Sequence, residues 1–506
     1  MMNRWDLMKI ANAPTALSLT GATGAGVAGT PGITDLSALE LSRAIHDRKL
    51  SCVEVMSAYL HRIETVNPKV NAIVSLKPRE ALLTEAAQAD AELAAGQSRG
   101  WLHGIPQAPK DLTASSDIPT TMGFRGLANN RPKADSLLVA RTRAAGAIMI
   151  GKTNTPEFGL GSHTYNQMFG STLNAWDQRL SAGGSSGGAA VALAAHLLPV
   201  ADGSDMMGSL RNPAGWNNVY GFRPSMGRVP FGPTPEVFFQ QLGYEGPMAR
   251  NVADLAMLLS TQAGYDPRMP LSLAGDGAEF AVPLTGSAMG ARIGWLGDLG
   301  GHLAMQPGVL ETCEAALAIF AGLGCSVAPV KPDFDMERLW SAWVTLRGFL
   351  VSGGMAALYD NPKTRDLLKP EAVWEIETGR ALSGSQVFAA SAVRSAWYQE
   401  MLRLFDSYDY LVLPTAQIFP FDAREHWPKE IASHKMDSYH RWMEVVIPGS
   451  MAGVPVLAVP AGFGPDGLPM GLQVMGRPRA DRAVLDLGHA YDLAQGFTAR
   501  RSPLLG

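Results

Sequence analysis

Two glycine loops that contain serine, and one lysine, carry the residue types that could perform covalent catalysis. The first loop is GGSSGG at residues 183–188, and the second runs from Asp205 to Ser209. Between them, the apolar run Ala189–Ala195 is rich in helix formers and predicts a short helix. Glycine lets the backbone approach a reacting atom, and N–H groups at a turn can hold an oxyanion. A serine hydroxyl becomes a nucleophile only when a base takes its proton.

The candidate base lies upstream, in an apolar and proline-rich segment. Lys110 ends the stretch HGIPQAPK, which begins at His103. A lysine acts as a base near pH 7 only if burial lowers its pKa. Lowering the pKa by about two to three units costs roughly 3–4 kcal/mol, so the fold has to enforce the burial. Lys152, in the segment GKTN, is the rival candidate.

The first loop also fits a pattern from a different class of hydrolase. Residues 183–187 match G-x-S-x-G, the nucleophile elbow of α/β-hydrolases. That interpretation requires a strand directly before the loop, and an acidic residue and a histidine downstream. Residues 173–182 are polar, and no downstream histidine lies in a recognisable context: His302, His426, His434, His440 and His489. The pattern alone is weak.

Taken together, these segments resemble the amidase signature family of hydrolases. The matching stretches follow the family's order along nearly the whole chain: 104–112, 144–159, 183–195, 203–230, 246–259, 409–415 and 452–476. The resemblance implies an α/β fold, in which a mixed central β-sheet is sandwiched between layers of α-helices. It also implies that Lys152 is a structural lysine and not the base.

The resemblance assigns catalytic roles by motif position. Lys110 is then the base, Ser185 the bridging serine that follows a cis peptide bond, and Ser209 the nucleophile. The nucleophile would pass its proton to the bridging serine, which would pass its own to the lysine. The same relay, reversed, would protonate the leaving amine. Backbone N–H groups of the turn would hold the oxyanion: Met206, Met207, Gly208 and Ser209.

The turn before the nucleophile departs from the family pattern. The family usually has Thr-Gly-Gly-Ser, or a small residue for the first glycine, whereas residues 206–209 are MMGS. A methionine at 207 would be strained if that position required a positive φ, and merely packs otherwise. We also hypothesise that the methionines wall the acyl pocket and favour apolar substrates. Three neighbours are expected to support the turn, two of them as an Asp–Arg brace: Ser186, Asp205 and Arg211.

Composition limits the classes of protein to which the chain can belong. With a net charge of −4, the chain has no excess of basic residues that would favour binding to nucleic acid or to an anionic membrane. The sequence contains no run of about 18 or more apolar residues, so no membrane-spanning helix is predicted. Three scattered cysteines argue against a disulfide framework and against a structural metal. We therefore expect a cytoplasmic enzyme without metal or cofactor, acting on a small molecule; a homodimer is a further hypothesis.

The chain divides into a short extension and one large domain. Residues 1–31 are rich in Ala, Gly, Thr and Ser and predict a flexible or loosely packed extension. Polar residues interrupt its apolar part, which disfavours a secretory leader. Residues 32–506 are expected to form a single amidase domain. The resemblance places its catalytic core at about 100–260 and a variable pocket region at about 265–445.

Hydrophobic periodicity predicts the elements that position these residues. Capping boxes of the form S-x-x-E at Ser37 and Ser51 open two N-terminal helices. Further helices are predicted from the spacing of apolar residues: 79–93, 136–145, 254–259, 308–323 and 486–494. Buried strands are predicted at 147–150, 292–296, 410–415, 456–460 and 470–475, and Asp466-Gly467 forms a hairpin turn between the last two.

The implied activity is hydrolysis of a C–N bond in an apolar or aryl amide, an anilide or a carbamate. Aromatic residues after Met336 either pack in the core or form an apolar wall over the active site: Trp340, Trp343, Phe349, Trp374, Phe388 and Trp397. The alternatives are a peptide or fatty-acid amide hydrolase, a glutaminase subunit of a tRNA-dependent amidotransferase, and a non-catalytic binding protein. Such glutaminase subunits have glutamine after the arginine, where this chain has Asn212.

Overall fold

The structure, a computed structural model, describes residues 32–239 and 241–505. The predicted extension, residues 1–31, lies outside the described residues. The helices are α1 (Ala38–His46), α2 (Cys52–Val70), α3 (Arg79–Ala94), α4 (Leu137–Ala144), α5 (Gly187–Ala194), α6 (Asn212–Asn217), α7 (Val252–Gln262), α8 (Val309–Gly322), α9 (Met336–Asp360), α10 (Pro362–Arg365), α11 (Pro370–Arg380), α12 (Gly384–Ser407), α13 (Ile447–Ala452) and α14 (Asp481–Ala494). Within the described residues, none of these helices has the length and apolar character needed to cross a membrane.

Strands are shorter and more numerous in the first half of the chain. They are β1 (Ile73–Val74), β2 (Pro106–Gln107), β3 (Ile148–Met149), β4 (Lys152–Thr153), β5 (Tyr165–Asn166), β6 (Gly170–Ser171), β7 (Val200–Asp205), β8 (Tyr220–Arg223), β9 (Tyr244–Ala249), β10 (Arg292–Trp295), β11 (Ser326–Pro329), β12 (Tyr410–Pro414), β13 (Glu430–Ile431), β14 (His434–Lys435), β15 (Val456–Phe463) and β16 (Pro469–Gly476).

Eight of these strands form the central mixed sheet, in the order β11-β10-β12-β16-β15-β8-β9-β7. The first two pairings, β11 with β10 and β10 with β12, are parallel. All the others are antiparallel, including the β15–β16 hairpin. The edge strand β7 pairs with β9 so that Ser204 lies opposite Glu245 and Asp205 opposite Tyr244. This edge leads directly into the turn that carries Ser209.

Helices cover both faces of the sheet. Adjacent residues of β15 point to opposite faces: Val456 packs against Gly449 of α13, and Leu457 packs against Gly488 of α14. The side chain of Met475 in β16 also packs against Gly449. The architecture is therefore the predicted α/β fold, with a mixed sheet between helical layers.

Most predicted elements are present, whereas four strands of the central sheet were missed. Both capping boxes form at Ser37 and Ser51. The predicted helices and strands named above all occur, within a few residues at their ends. The missed strands of the central sheet are β11 at one end and β7, β8 and β9 at the other; the last three contain glycine, aspartate or proline and lack a clear period. Seven two-residue strands outside that sheet were also not predicted: β1, β2, β4, β5, β6, β13 and β14. All three cysteines are free and buried.

Candidate active site

Lys110 lies in the interior, where its ammonium nitrogen contacts three serine hydroxyls. It follows β2, and its side chain is fully buried. Nζ lies 2.7 Å from Ser185 Oγ, 2.9 Å from Ser186 Oγ and 3.0 Å from Ser204 Oγ. The structure thus brings the predicted base to the predicted bridging serine and to the supporting Ser186. Sequence reasoning did not identify Ser204, the third partner.

Burial controls the protonation of this lysine. Loss of hydration lowers the pKa of Lys110 to about 7, and the carboxyl groups of Asp205, Asp202 and Glu245 partly oppose the shift. The backbone N–H of Lys110 donates to Asp202 Oδ2 at 3.1 Å, which holds the residue in place. With a pKa near 7, a large fraction of the amine is neutral at neutral pH and able to accept a proton.

The rival lysine has different neighbours. Burial also lowers the pKa of Lys152, to about 8. Its Nζ, however, donates to the backbone carbonyl of Thr113. No serine hydroxyl is among its hydrogen-bond partners in the described part of the chain. The contacts therefore agree with the implied assignment of Lys152 to structure.

The first serine loop is held tightly between two other segments. The peptide bond between Gly184 and Ser185 is cis. The N–H of Gly184 donates to Asn212 Oδ1 at 3.1 Å, which ties this loop to the start of α6. A Cβ atom at Gly188 would lie 2.3 Å from the backbone nitrogen of Asn154, so this position requires glycine. Close packing thereby fixes the loop that presents Ser185.

The turn that carries Ser209 joins β7 to α6. Gly208 supplies its left-handed backbone, with φ of 77°, and neither Met206 nor Met207 has a positive φ. Met207 is buried in the core, and Met206 packs against it. The two methionines therefore occupy ordinary backbone conformations, and Met207 packs as the unstrained interpretation requires.

A buried ion pair braces this turn. Arg211 donates to both carboxylate oxygens of Asp205, at 3.0 Å from Nε and 2.9 Å from Nη2. Arg223, which the sequence did not single out, approaches Asp205 Oδ1 at 3.3 Å. Burial opposes ionisation of Asp205, but the two guanidinium groups hold its pKa well below the usual range. The predicted Asp–Arg brace is present, with a second arginine added.

The structure corrects one member of the predicted oxyanion hole. The N–H of Gly208 donates to Asp205 Oδ1 at 2.9 Å, because the brace reaches into the turn. That N–H is therefore engaged by a carboxylate and does not face the cavity. Within the described residues, the N–H groups of Met206, Met207 and Ser209 donate to no protein acceptor. These three remain the candidate oxyanion donors.

Ser185 and Ser209 line one cavity of about 270 Å³. Among the described residues, no hydrogen bond joins their two hydroxyls. The contact through which Ser209 would pass its proton to Ser185 is therefore not formed in this structure. Apolar side chains form much of the wall: Leu112, Phe158, Leu160, Met206, Met207, Phe231, Val351 and Met355. The cavity therefore has room for a small substrate with an apolar body.

Polar groups that sequence reasoning missed also line this cavity. Glu245 lies opposite Ser204 in the sheet. Its Oε1 accepts a hydrogen bond from Thr113 Oγ1 at 3.1 Å, and its Oε2 has no partner among the described residues. Burial, and then the charge of Asp202, raise the pKa of Glu245 to about 8. The carboxyl group is therefore mostly protonated at neutral pH. Its setting in YEGPMA offered no motif that could have revealed it.

Of the two alternatives for the aromatic residues after Met336, the apolar wall does not hold for the six residues named. None of the six aromatics lines the cavity; Trp340, Trp343 and Trp397 are buried in the hydrophobic core instead. Phe388 is 77% exposed, far more than a pocket residue would be. The face of α9 that reaches the cavity begins one turn after Trp343 and carries Arg347, Val351, Gly354 and Met355. The rotation of α9 about its axis, which composition does not reveal, determines which of its side chains face the cavity.

The nucleophile-elbow interpretation does not fit the fold. Only isolated bridges at Leu180 and Ser181 directly precede the first loop, where an α/β-hydrolase would have a strand. Ser185 contacts a lysine rather than a histidine. His440 does line the cavity, but its Nδ1 pairs with Ser438 Oγ at 3.0 Å. Between residues 32 and 505, Gln240 apart, no group of three or more His, Cys, Asp or Glu side chains is arranged to hold a metal ion.

The fold and the buried lysine–serine site define a hydrolase of the amidase class. The Amidase family model matches residues 54–485, and the chain belongs to the amidase signature family. It is an amidase, an enzyme that hydrolyses C–N bonds.

Similar proteins cover nearly the whole chain. An acylamidase of Rhodococcus erythropolis is 36% identical over 92% of this chain and 97% of its own length. A glutamyl-tRNA(Gln) amidotransferase subunit of Thermosynechococcus vestitus is 34% identical over 90% of this chain and 96% of its own length. Among solved structures, a bacterial aryl acylamidase superposes with a TM-score of 0.84 at 30% identity, covering 91% of this chain and 96% of that one.

Proposed function

We propose that the protein hydrolyses small apolar or aryl amides through a covalent acyl-enzyme on Ser209. The observation that carries the proposal is the 2.7 Å contact between Lys110 Nζ and Ser185 Oγ, at the wall of a cavity that also contains Ser209. A buried amine with a pKa of about 7 is a suitable proton acceptor at neutral pH. The relay requires only these three side chains.

In the proposed first half-reaction, Ser209 Oγ attacks the carbonyl carbon of the amide. Its proton passes to Ser185, and Ser185 passes its own proton to Lys110. The N–H groups of Met206, Met207 and Ser209 stabilise the oxyanion; each such donor is worth about 3–4 kcal/mol of the barrier. The C–N bond then breaks as the relay returns a proton to the leaving amine. In the second half-reaction, water attacks the acyl-enzyme by the same route.

The apolar wall supports an apolar substrate. Phe158, Phe231 and Val351 line the cavity, together with Met206 and Met207. The acylamidase and aryl acylamidase relatives support the same class. We assign the two methionines to the wall around the acyl group, because they adjoin the turn that holds the nucleophile.

Two other substrates use the same chemistry and belong in the test. A carbamate presents an equivalent carbonyl to Ser209. Glutamine is included because glutamyl-tRNA(Gln) amidotransferase subunits occur among the relatives. The MMGS turn and Asn212 depart from the pattern of those subunits, and we therefore place glutamine below aryl amides.

The test measures intact-protein mass and turnover with an aryl anilide, a phenyl carbamate and glutamine. A serine-directed fluorophosphonate should add one label to the wild type and none to Ser209→Ala, with peptide mapping to Ser209. We expect turnover in the order anilide, carbamate, glutamine, and a loss of at least about 10³-fold in Ser209→Ala. Labelling at another serine would overturn the assigned nucleophile, and faster turnover of glutamine would overturn the substrate class.

A further inference from the structure

One cation lines the catalytic cavity with part of its hydrogen-bonding capacity unused. Arg347 lies on α9, and its side chain is only 4% exposed. Its Nε donates to Glu375, and its Nη2 donates to the Tyr439 hydroxyl at 3.0 Å. The only partner of Nη1 among the described residues is the thioether sulfur of Met206, at 3.4 Å. Because thioether sulfur is a weak acceptor, Nη1 remains a strong donor at the cavity wall.

The charge of this cation is already balanced. Glu375 is 1% exposed and accepts hydrogen bonds from both Arg347 and the Tyr439 hydroxyl, the latter at 2.6 Å. His440 also lines the cavity, and burial holds its pKa well below the ordinary value, so it stays neutral. A carboxylate on the substrate would therefore become a buried charge without a free counter-ion, which is costly. A neutral oxygen acceptor meets no such penalty.

We propose that Arg347 Nη1 is a substrate-binding donor that selects amides carrying a neutral oxygen acceptor, such as an ether or carbonyl oxygen, away from the scissile carbonyl. The acceptor replaces the sulfur of Met206 as the partner of Nη1. It lies on the α9 side of the turn, where Val351 and Met355 contact the apolar body of the substrate. The inference rests on the proposed function, because it concerns the same cavity.

The test replaces one methylene of the substrate at a time by oxygen. Hexanoyl anilide is compared with its ether analogues, and 4-alkyl anilides with their 4-alkoxy analogues. The readout is the ratio of kcat/KM between each oxygen member and its hydrocarbon parent, in the wild type and in Arg347→Met. Comparing the two enzymes cancels intrinsic differences in reactivity between substrates. At one oxygen position we expect the wild-type ratio to exceed the variant ratio by about tenfold or more, as for a hydrogen bond to a charged group.

Tyr439→Phe is the matched control, because Tyr439 contacts the guanidinium from outside the cavity lining. It should keep the oxygen preference of the wild type. An equal loss for all substrates in Arg347→Met, or an unchanged ratio at every position, would overturn the inference.

The charge of the substrate provides a second test, with Glu375→Gln as an independent variant. In the wild type, kcat/KM for the anilide of adipic acid methyl ester should exceed kcat/KM for the free-acid anilide by about tenfold or more. Glu375→Gln leaves the guanidinium uncompensated and should reverse that preference. A wild type that prefers the free acid overturns the choice of a neutral acceptor. Fluorophosphonate labelling at Ser209 distinguishes the proposed role of Arg347 from the proposed function. If Ser209 is labelled but the oxygen substitutions have no effect at any position, only the role of Arg347 is overturned. If Ser209 is not labelled, both proposals are overturned.

Discussion

The candidate catalytic cavity has two walls that are held together in different ways. On one wall, the lysine, the serines and the turn belong to a dense network, in which Lys110 and Asp205 each contact at least three groups. On the other wall, α9 presents apolar side chains and a single cation whose main partners are Glu375 and Tyr439. Changes to the first wall should therefore lower the rate for every substrate, whereas changes to the second should alter the preference between substrates.

The largest expected effect is the loss of the base. Lys110→Met keeps the length of the side chain and removes the proton acceptor, so kcat/KM should fall by about 10³-fold or more. Lys49→Met, at an exposed lysine outside the cavity lining, is the matched control and should retain most activity toward hydrocarbon anilides. More than about a tenth of wild-type activity in Lys110→Met would contradict the role of the lysine.

The pH dependence sharpens the same contrast. Only the neutral amine accepts a proton, and burial lowers the pKa of Lys110 to about 7. The kcat/KM of the wild type should therefore fall about tenfold per pH unit below 7 and level off above it. Arg347→Met should keep this profile. A wild-type profile that is flat between pH 5 and 8 would rule out titration of the lysine as the controlling step.

The next effect concerns stability on the network side. Asp205→Asn removes the carboxylate between Arg211 and Arg223 and leaves two buried guanidinium groups without it. Thermal unfolding should reveal a destabilisation of about 3–5 kcal/mol, accompanied by loss of fluorophosphonate labelling. The pair of Asp177 and the exposed Arg179 is the control, because water screens this pair and Asp177→Asn should destabilise far less than Asp205→Asn. Equal effects of the two substitutions would contradict the role given to the brace.

The smallest effect is a change in the pH dependence of stability. Glu245 has a pKa of about 8 in the folded protein, raised from 4.5 mainly by burial. Between these values the folded state binds one more proton than the unfolded state, so stability falls as pH rises. Glu245→Gln lacks this slope. From pH 5 to pH 8, the free energy of unfolding of the variant relative to that of the wild type should therefore rise by more than about 1 kcal/mol, as measured from the unfolding midpoints.

The control for this measurement is Glu425→Gln, at an exposed position. Its midpoint should follow that of the wild type across the same range. A constant difference between Glu245→Gln and the wild type at every pH would mean that Glu245 is ionised in the folded protein throughout.

Local patterns predicted most helices and the C-terminal hairpin, because capping boxes and apolar periodicity act within a few residues. They failed at β11 and, nearest the site, at β7, β8 and β9. Val200–Asp205 contains Gly203 and two aspartates, which are poor strand formers. Its strand conformation comes from pairing with β9, which is distant along the chain. The functional end of the sheet was therefore the least predictable part of the fold.

The sequence by itself determined the family and the candidate base and serines, because glycine loops and their spacing are local features that the chemistry requires. Only the tertiary structure showed that Lys110 also contacts Ser204, that Asp205 accepts a hydrogen bond from the N–H of Gly208, and that Arg347 lines the cavity while the six named aromatic residues do not. These contacts depend on strand register and helix rotation, which arise from packing between distant segments. Substrate preference belongs to this second group, since it is decided by the side chains that face the cavity.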